Sequence, residues 1–131
     1  MEEEKQGFLV KLSKVLNQGR GIEGKLKQLD MEADELLRTS LTNELTDFQE
    51  ALTELESDAL KIGSEEMFSS LKSLREMNAQ IIDTYSKMDQ YTIIMIKRMR
   101  LEVRWSRVFE RFEVQADRFY RFAKEIHKHR M

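Results

Sequence analysis

The chain has 131 residues, 35% of them charged, and a formal net charge of −2 at pH 7. It contains no cysteine, which excludes disulfides, thiolate metal sites and cysteine nucleophiles. Proline is absent and glycine is rare, so the composition favours long helices, and no stretch alternates as a strand would. We therefore expect an all-α chain that forms a single helical domain over 1–131.

The sequence lacks the pattern of a targeting or membrane-spanning segment. Its first residues are acidic and have no apolar centre of the kind that a secretory signal needs. The most apolar window, 91–99, is interrupted by Lys97 and Arg98 and is too short to cross a bilayer. We expect a soluble, cytoplasmic protein.

A short helix is predicted first, over 1–18, from apolar residues at helical spacing. These are Phe8, Leu9, Leu12, Val15 and Leu16. Glycines follow at positions 19, 21 and 24, and each costs about 1 kcal/mol against alanine inside a helix. The segment 17–24 is therefore predicted to be a glycine-rich hinge. A phosphate-binding loop is disfavoured, because the strand and the Lys-Ser/Thr pair that such loops need are missing.

An acidic helix is predicted next, over 23–62. Its apolar residues recur at alternating steps of four and three, the spacing of a bundle or coiled-coil seam. The spacing slips by one residue at 38–40, where we expect a kink within one long helix. Between 23 and 60 there are eleven acidic residues and three basic ones. Five of the acidic residues share one helical face, which we call the acidic ridge: Glu44, Asp47, Glu50, Glu54 and Asp58.

The clearest boundary between helices lies over 61–66. Gly63 suits the left-handed conformation that ends many helices, and Ser64 is a good N-cap for a new one. Glu65 and Glu66 follow at positions where the helix dipole favours acidic side chains. A connection this short predicts that the two helices are antiparallel neighbours.

The remaining arm, 65–131, continues the same spacing and includes two polar seam residues, Asn78 and Thr92. A single polar residue in a seam can fix the register of the helices. The alternative is a polar group that finds its partners at a kink. No glycine or proline follows Gly63, so the arm is either one continuous helix or a helix bent somewhere between 84 and 104.

Two architectures are consistent with this pattern. One is an elongated, antiparallel, coiled-coil-like bundle with three long helices near 23–62, 65–90 and 93–129, plus the short N-terminal helix. The other is a two-helix hairpin whose long second arm is stable only in a dimer. The first fits the size of a single domain, and the second fits the missing turn signal.

Basic residues concentrate in the last quarter of the chain. The segment 97–131 contains eleven Lys and Arg and five Asp and Glu. Most step by three, four or seven residues, so they share one helical face. We call this face the basic ridge: Arg100, Arg104, Arg107, Arg111, Arg118, Arg121 and Lys128. Its favoured partner is the acidic ridge of the same protein, either on an adjacent helix of one bundle or on the other chain of a dimer. An anionic membrane is the alternative, and nucleic acid is disfavoured because no binding motif is present.

The other face of this last segment is aromatic, with Trp105, Phe109, Phe112 and Phe119 at seam spacing. Rings of this size dominate both protein cores and interfaces. A place in the core is the favoured interpretation of these four residues. The alternative is a hydrophobic interface for a partner helix or a second copy.

Catalytic and metal-binding patterns are weak. His127 and His129 are two residues apart and would point away from each other on a helix, whereas metal pairs on a helix need three or four. We therefore expect no enzyme activity, no metal and no cofactor.

The predicted function is that of a non-enzymatic helical scaffold or adaptor. It would act through protein–protein contacts, as a homodimer or with another helical protein. One alternative is a peripheral binder of anionic membranes that uses the basic face of 97–131. A second alternative is a helical chaperone for an amphipathic partner segment.

Overall fold

The structure, a computed structural model, describes residues 2–31, 35–86 and 100–130. This part of the chain forms four α-helices: α1 Glu2–Met31, α2 Glu35–Lys61, α3 Glu65–Ser86 and α4 Leu101–Arg130. Each helix packs against the next, and α4 packs back against α1, so the helices form a closed ring. The predicted all-α helical bundle is confirmed.

Neighbouring helices in the ring are antiparallel. The Tyr85 hydroxyl, at the end of α3, donates to Glu102 at the start of α4 over 2.9 Å. Near the opposite ends of the same two helices, the Gln115 amide donates to Glu66 over 3.3 Å. The other three neighbouring pairs have the same reversed order of contacts. The bundle is therefore up-down-up-down, with α2 and α4 parallel at diagonally opposite corners.

The first helix is long, and it continues through the glycines. α1 has 30 residues and runs without a break from Glu2 to Met31, so both the short N-terminal helix and the hinge at 17–24 are wrong. Gly19 has a packing reason to be there: the ring of Phe109 in α4 lies directly over it, and an added Cβ would be 2.0 Å from that ring. Gly21 and Gly24 have open space where a Cβ would be.

The acidic helix predicted over 23–62 is also wrong as a single element. Its first part belongs to α1, and α2 begins at Glu35. Because α1 and α2 are antiparallel, the chain reverses direction between them; residues 32–34 lie outside the described part. The seam spacing runs on through this reversal, and no glycine or proline marks it, so periodicity alone could not locate it.

The boundary predicted over 61–66 is confirmed. Gly63 has a φ of 74°, in the left-handed region, and the Ser64 N–H donates to the Ala59 carbonyl over 3.1 Å, which closes the end of α2. The Ser64 hydroxyl then accepts a hydrogen bond from the Met67 N–H at 3.4 Å and caps the start of α3.

The described parts of the last arm, 65–86 and 100–130, contain two separate helices, so the continuous helix and the two-helix hairpin are both wrong. α3 ends at Ser86, α4 begins at Leu101, and the two pack antiparallel. Arg100 precedes α4 with a φ of 51°, and its carbonyl accepts from the Arg104 N–H at 3.0 Å. The seam residue Thr92 lies outside the described residues, as does the part of the predicted bend over 87–99.

Asn78 is the polar centre of the core, and its side chain is completely buried. Its amide nitrogen donates to the Leu45 carbonyl and to the Gln49 side chain, both at 2.9 Å. Its amide oxygen accepts from the Trp105 indole N–H at 3.0 Å. The amide thus joins α2, α3 and α4 at one level of the bundle, in the middle of a regular helix rather than at a kink.

Aromatic rings pack around this level. Phe48 of α2 lies 5.9 Å from Trp105 and 6.5 Å from Phe109, measured between ring centroids, and the last two rings stack at 5.1 Å. These contacts cross the diagonal of the bundle. They place Phe48 level with the segment of α4 between Trp105 and Phe109.

Three of the four glycines of α1, at positions 19, 21 and 24, provide a test of this packing. Gly19→Ala should lower the free energy of unfolding by about 1–3 kcal/mol, because Phe109 is enclosed and cannot move aside. Gly21→Ala and Gly24→Ala should each raise it by up to about 1 kcal/mol, because alanine favours the helix and meets no neighbour. Urea denaturation followed by circular dichroism measures all three. Equal effects at the three positions would contradict the contact with Phe109.

The amide of Asn78 provides a second test. Asn78→Ala should lower the free energy of unfolding by about 3 kcal/mol, because it opens a cavity and leaves the buried Trp105 N–H without its acceptor. The matched control is Asn43→Ala on the exposed side of α2, which should change stability by less than about 0.5 kcal/mol. Both are measured by urea denaturation. A similar small loss in the two variants would show that the amide is not structurally important.

Candidate functional site

The basic ridge lies on the outward face of α4. The opposite face of this helix is buried in the core and contains Leu101, Trp105 and Phe109. The arginines recur at steps of three and four residues, so they share the exposed face. Six members of the ridge have described side chains, and all six are exposed: Arg100, Arg104, Arg107, Arg111, Arg118 and Arg121. The side chain of Lys128 lies outside the described part.

Most of the ridge has no partner among the described side chains. Arg121 forms an ion pair with Asp117 one turn earlier, at 3.1 Å. The other five arginines make no ion pair and no side-chain hydrogen bond to any residue that the structure describes. The expected pairing with the acidic ridge of the same chain is wrong, because α2 and α4 occupy diagonal corners and the ridges face away from each other.

The acidic ridge of α2 instead meets lysines of α1. Lys11 pairs with Glu54 at 2.7 Å and with Asp58 at 2.9 Å, and these hydrogen bonds raise the pKa of Lys11. Lys25 pairs with Glu44 at 2.6 Å. Asp47 and Glu50, the middle of the ridge, are exposed and make no ion pair with the described residues. The acidic ridge is therefore satisfied at its ends and free in its centre.

The aromatic residues of α4 belong to the core. Trp105, Phe109 and Phe112 are fully buried, so their interpretation as a partner interface is wrong. Phe119 is half-buried and meets Phe8 of α1 edge to face, with 5.2 Å between ring centroids. The favoured interpretation of these rings as core residues is confirmed.

Two apolar residues of α4 are exposed beside the arginines. Val114 is 55% exposed and Phe122 is 61% exposed. Val114 follows Arg111 by three residues, and Phe122 follows Arg118 by four, so both share the face of the basic ridge. Seam periodicity did not mark Val114 as part of a site. The sequence feature that could have identified Val114 is an apolar side chain at a position outside the four-three spacing of the seam.

A charged side chain is trapped in the contact between α1 and α4. The carboxylate of Glu23 is 16% exposed, and its Oε1 lies 3.8 Å from Lys27. Burial raises its pKa above the ordinary value of 4.5, and Glu110 and Glu113 of α4 raise it further, against the lowering effects of Lys27 and of a hydrogen bond with Ser106. Its Oε2 is buried with no hydrogen-bond partner among the described groups. Sequence analysis did not single out this residue, because its environment comes from a helix that is distant in the sequence.

Within the described part of the chain, no three side chains of the metal-ligating types come together as a metal site requires. The side chains of His127 and His129 lie outside that part. Over the same residues, no helix combines the length and the apolar character needed to cross a bilayer.

Comparison with known proteins adds no identification. No protein-family model, no curated protein and no solved structure matches the chain. Function is therefore inferred from the surface of the bundle itself, and above all from the exposed face of α4.

Glu23 makes the stability of the bundle depend on pH. Because its folded pKa lies above 4.5, Glu23 does not destabilise the folded state at lower pH, where the carboxyl is protonated whether the chain is folded or unfolded. The destabilisation develops as pH rises from the unfolded pKa to the folded pKa, because the buried carboxyl then has to ionise. Glu23→Gln should therefore leave stability nearly unchanged at pH 4 and raise it at pH 7, because the amide stays neutral where the buried carboxylate is charged.

Urea denaturation over a pH series measures this difference. The matched control is Glu3→Gln, an exposed residue of the same helix, which should show no such trend. A stability difference for Glu23→Gln that is the same at pH 4 and pH 7 would contradict the trapped charge.

Proposed function

We propose that this protein is a non-enzymatic helical adaptor that acts through protein–protein contacts and binds an acidic partner with the basic ridge of α4. One observation supports this most directly: five arginines of the ridge are exposed and make no ion pair within the described residues. The net charge of the whole chain is −2, so this is a localised basic surface on a slightly acidic protein.

The arginines of the basic ridge are suited to bind a row of carboxylates. Arginine presents five N–H donors in a planar fork that matches a carboxylate. Arg104, Arg107 and Arg111 span about 10 Å along the helix axis at 1.5 Å per residue. An acidic helix with carboxylates at similar steps would place one opposite each guanidinium. α4 is held rigidly by its buried aromatic face, so the positions of the arginines are largely set before binding.

Binding through this surface would be modest and sensitive to salt. Each exposed ion pair contributes about 0.2–1 kcal/mol, so several must form together. Val114 and Phe122 would add to this, since fully burying an apolar side chain of their size contributes about 1.5–3 kcal/mol. A ridge of arginines with apolar residues beside it thus resembles the composition of binding interfaces more than that of an ordinary solvated face.

An anionic membrane surface is a second candidate partner, and Phe122 is the observation that favours it. Its ring is mostly exposed and lies on the same face as the arginines. Each basic residue near anionic headgroups contributes about 1 kcal/mol, and an aromatic ring could enter the interfacial region. The chaperone alternative has less support, because the apolar seam of the described helices is closed inside the core.

Charge reversal of the ridge tests the proposal. The variant Arg104→Glu, Arg107→Glu, Arg111→Glu should weaken binding to poly-L-glutamate at least about tenfold, which corresponds to about 1.4 kcal/mol. The control is Lys14→Glu, Lys61→Glu, Lys72→Glu, which changes net charge equally at exposed residues outside α4 and should keep most of the binding. Fluorescence anisotropy with labelled poly-L-glutamate at about 50 mM salt limits screening.

The same proteins are then tested on vesicles with and without phosphatidylserine. Binding to poly-L-glutamate without binding to vesicles supports the adaptor. Binding to anionic vesicles alone, weakened by Phe122→Ala, would support the membrane candidate instead. Equal losses in the ridge variant and the lysine control would show that net charge, not the ridge, determines binding.

A further inference from the structure

The two charged ridges of the bundle have matching spacing. Arg104, Arg107 and Arg111 follow one another by three and then four residues, and Asp47, Glu50 and Glu54 do the same. Both sets lie on regular α-helices, so each forms a line of the same length and slope. The three arginines are exposed, as are all three carboxylates.

The two lines also lie at the same height and run in the same direction. Phe48 of α2 packs level with the segment of α4 between Trp105 and Phe109. Asp47 and Arg104 are the residues directly before Phe48 and Trp105 in the sequence. α2 and α4 are parallel because each is antiparallel to α3. A sideways translation of the bundle, without rotation, therefore brings one line against the other.

A single copy cannot form this contact with itself, since the ridges face away from each other at diagonal corners of the ring. We propose that the basic ridge of α4 binds a second copy of this chain, through the centre of that copy's acidic ridge on α2. This inference depends on the proposed function, because it names the acidic partner of the same surface. Asp47 and Glu50 have no ion pair among the described residues and are the natural acceptors.

The contact is head to tail. Each copy uses α4 in one contact and α2 in the other, so a pair of copies still has one basic and one acidic ridge free. Because the copies are related without rotation, such a heterologous contact does not close into a ring and adds further copies in an open chain. A closed two-fold dimer would instead use the same surface on both copies.

The association is expected to be weak and dependent on salt. Only a few exposed ion pairs form per contact, each contributing about 0.2–1 kcal/mol. Screening acts over about 8 Å at physiological salt, so concentrated protein at low salt is the condition in which copies associate.

Charge exchange between the ridges tests this inference. At the matched positions, Arg104→Glu, Arg107→Glu sets carboxylates against carboxylates, and Asp47→Arg, Glu50→Arg sets guanidinium groups against guanidinium groups. Each variant alone should remain a single chain in sedimentation velocity at about 50 mM salt, with an association constant at least tenfold weaker than that of the unmodified protein. Mixed at equal concentration, the two should associate again, because each ridge then meets its opposite on the other variant. This recovery also shows that both variants fold.

The unmodified protein should show an average mass that keeps rising with concentration beyond two copies. A plateau at two copies would overturn the head-to-tail contact, as would a mixture of variants that fails to associate. A single-chain mass for the unmodified protein at every concentration would also overturn it. In that last case, retained binding to poly-L-glutamate would leave the adaptor function standing, whereas its loss would remove both.

Discussion

The buried amide of Asn78 is the interaction on which the arrangement of this bundle depends most. Apolar seam residues can slide past one another with small changes in energy, but an amide in the core has partners at fixed positions. Its bonds to Leu45, Gln49 and Trp105 hold α2, α3 and α4 in one register. A shift of any of these helices along its axis would leave buried polar groups unpaired, so the register of the surface residues is set from inside.

This internal constraint determines how charge is distributed outside. With α2 and α4 held at diagonal corners, their charged faces cannot meet, although they are level with each other. Lysines of α1 neutralise the two ends of the acidic ridge, and the arginines of α4 remain exposed. The bundle thus has a basic side and an acidic side, and the proposed binding of an acidic partner depends on that polarity.

Much of the fold follows from local sequence patterns, and the part that does not depends on distant contacts. The seam spacing predicts the helices, and Gly63 with Ser64 predicts the turn between α2 and α3, because the residues that determine these features are neighbours. The sequence predicts a hinge at Gly19, and this prediction is wrong. Glycine is needed there because the ring of Phe109, which lies far along the chain, packs against it. For the site, the exposed arginines were predictable from spacing. Their lack of partners was not, since it depends on which corner of the ring each helix occupies.

The seam between α1 and α4 has a consequence for how the chain acquires its structure. The Tyr120 hydroxyl donates to the Leu9 carbonyl over 2.8 Å, and Phe119 covers Phe8. These contacts join residues that are 111 positions apart in the sequence. α2 and α3 can form their hairpin early in folding, whereas α1 keeps part of its apolar face uncovered until α4 packs against it, because contacts between distant segments form late. The contact between α1 and α4 is therefore the part of the core that closes last.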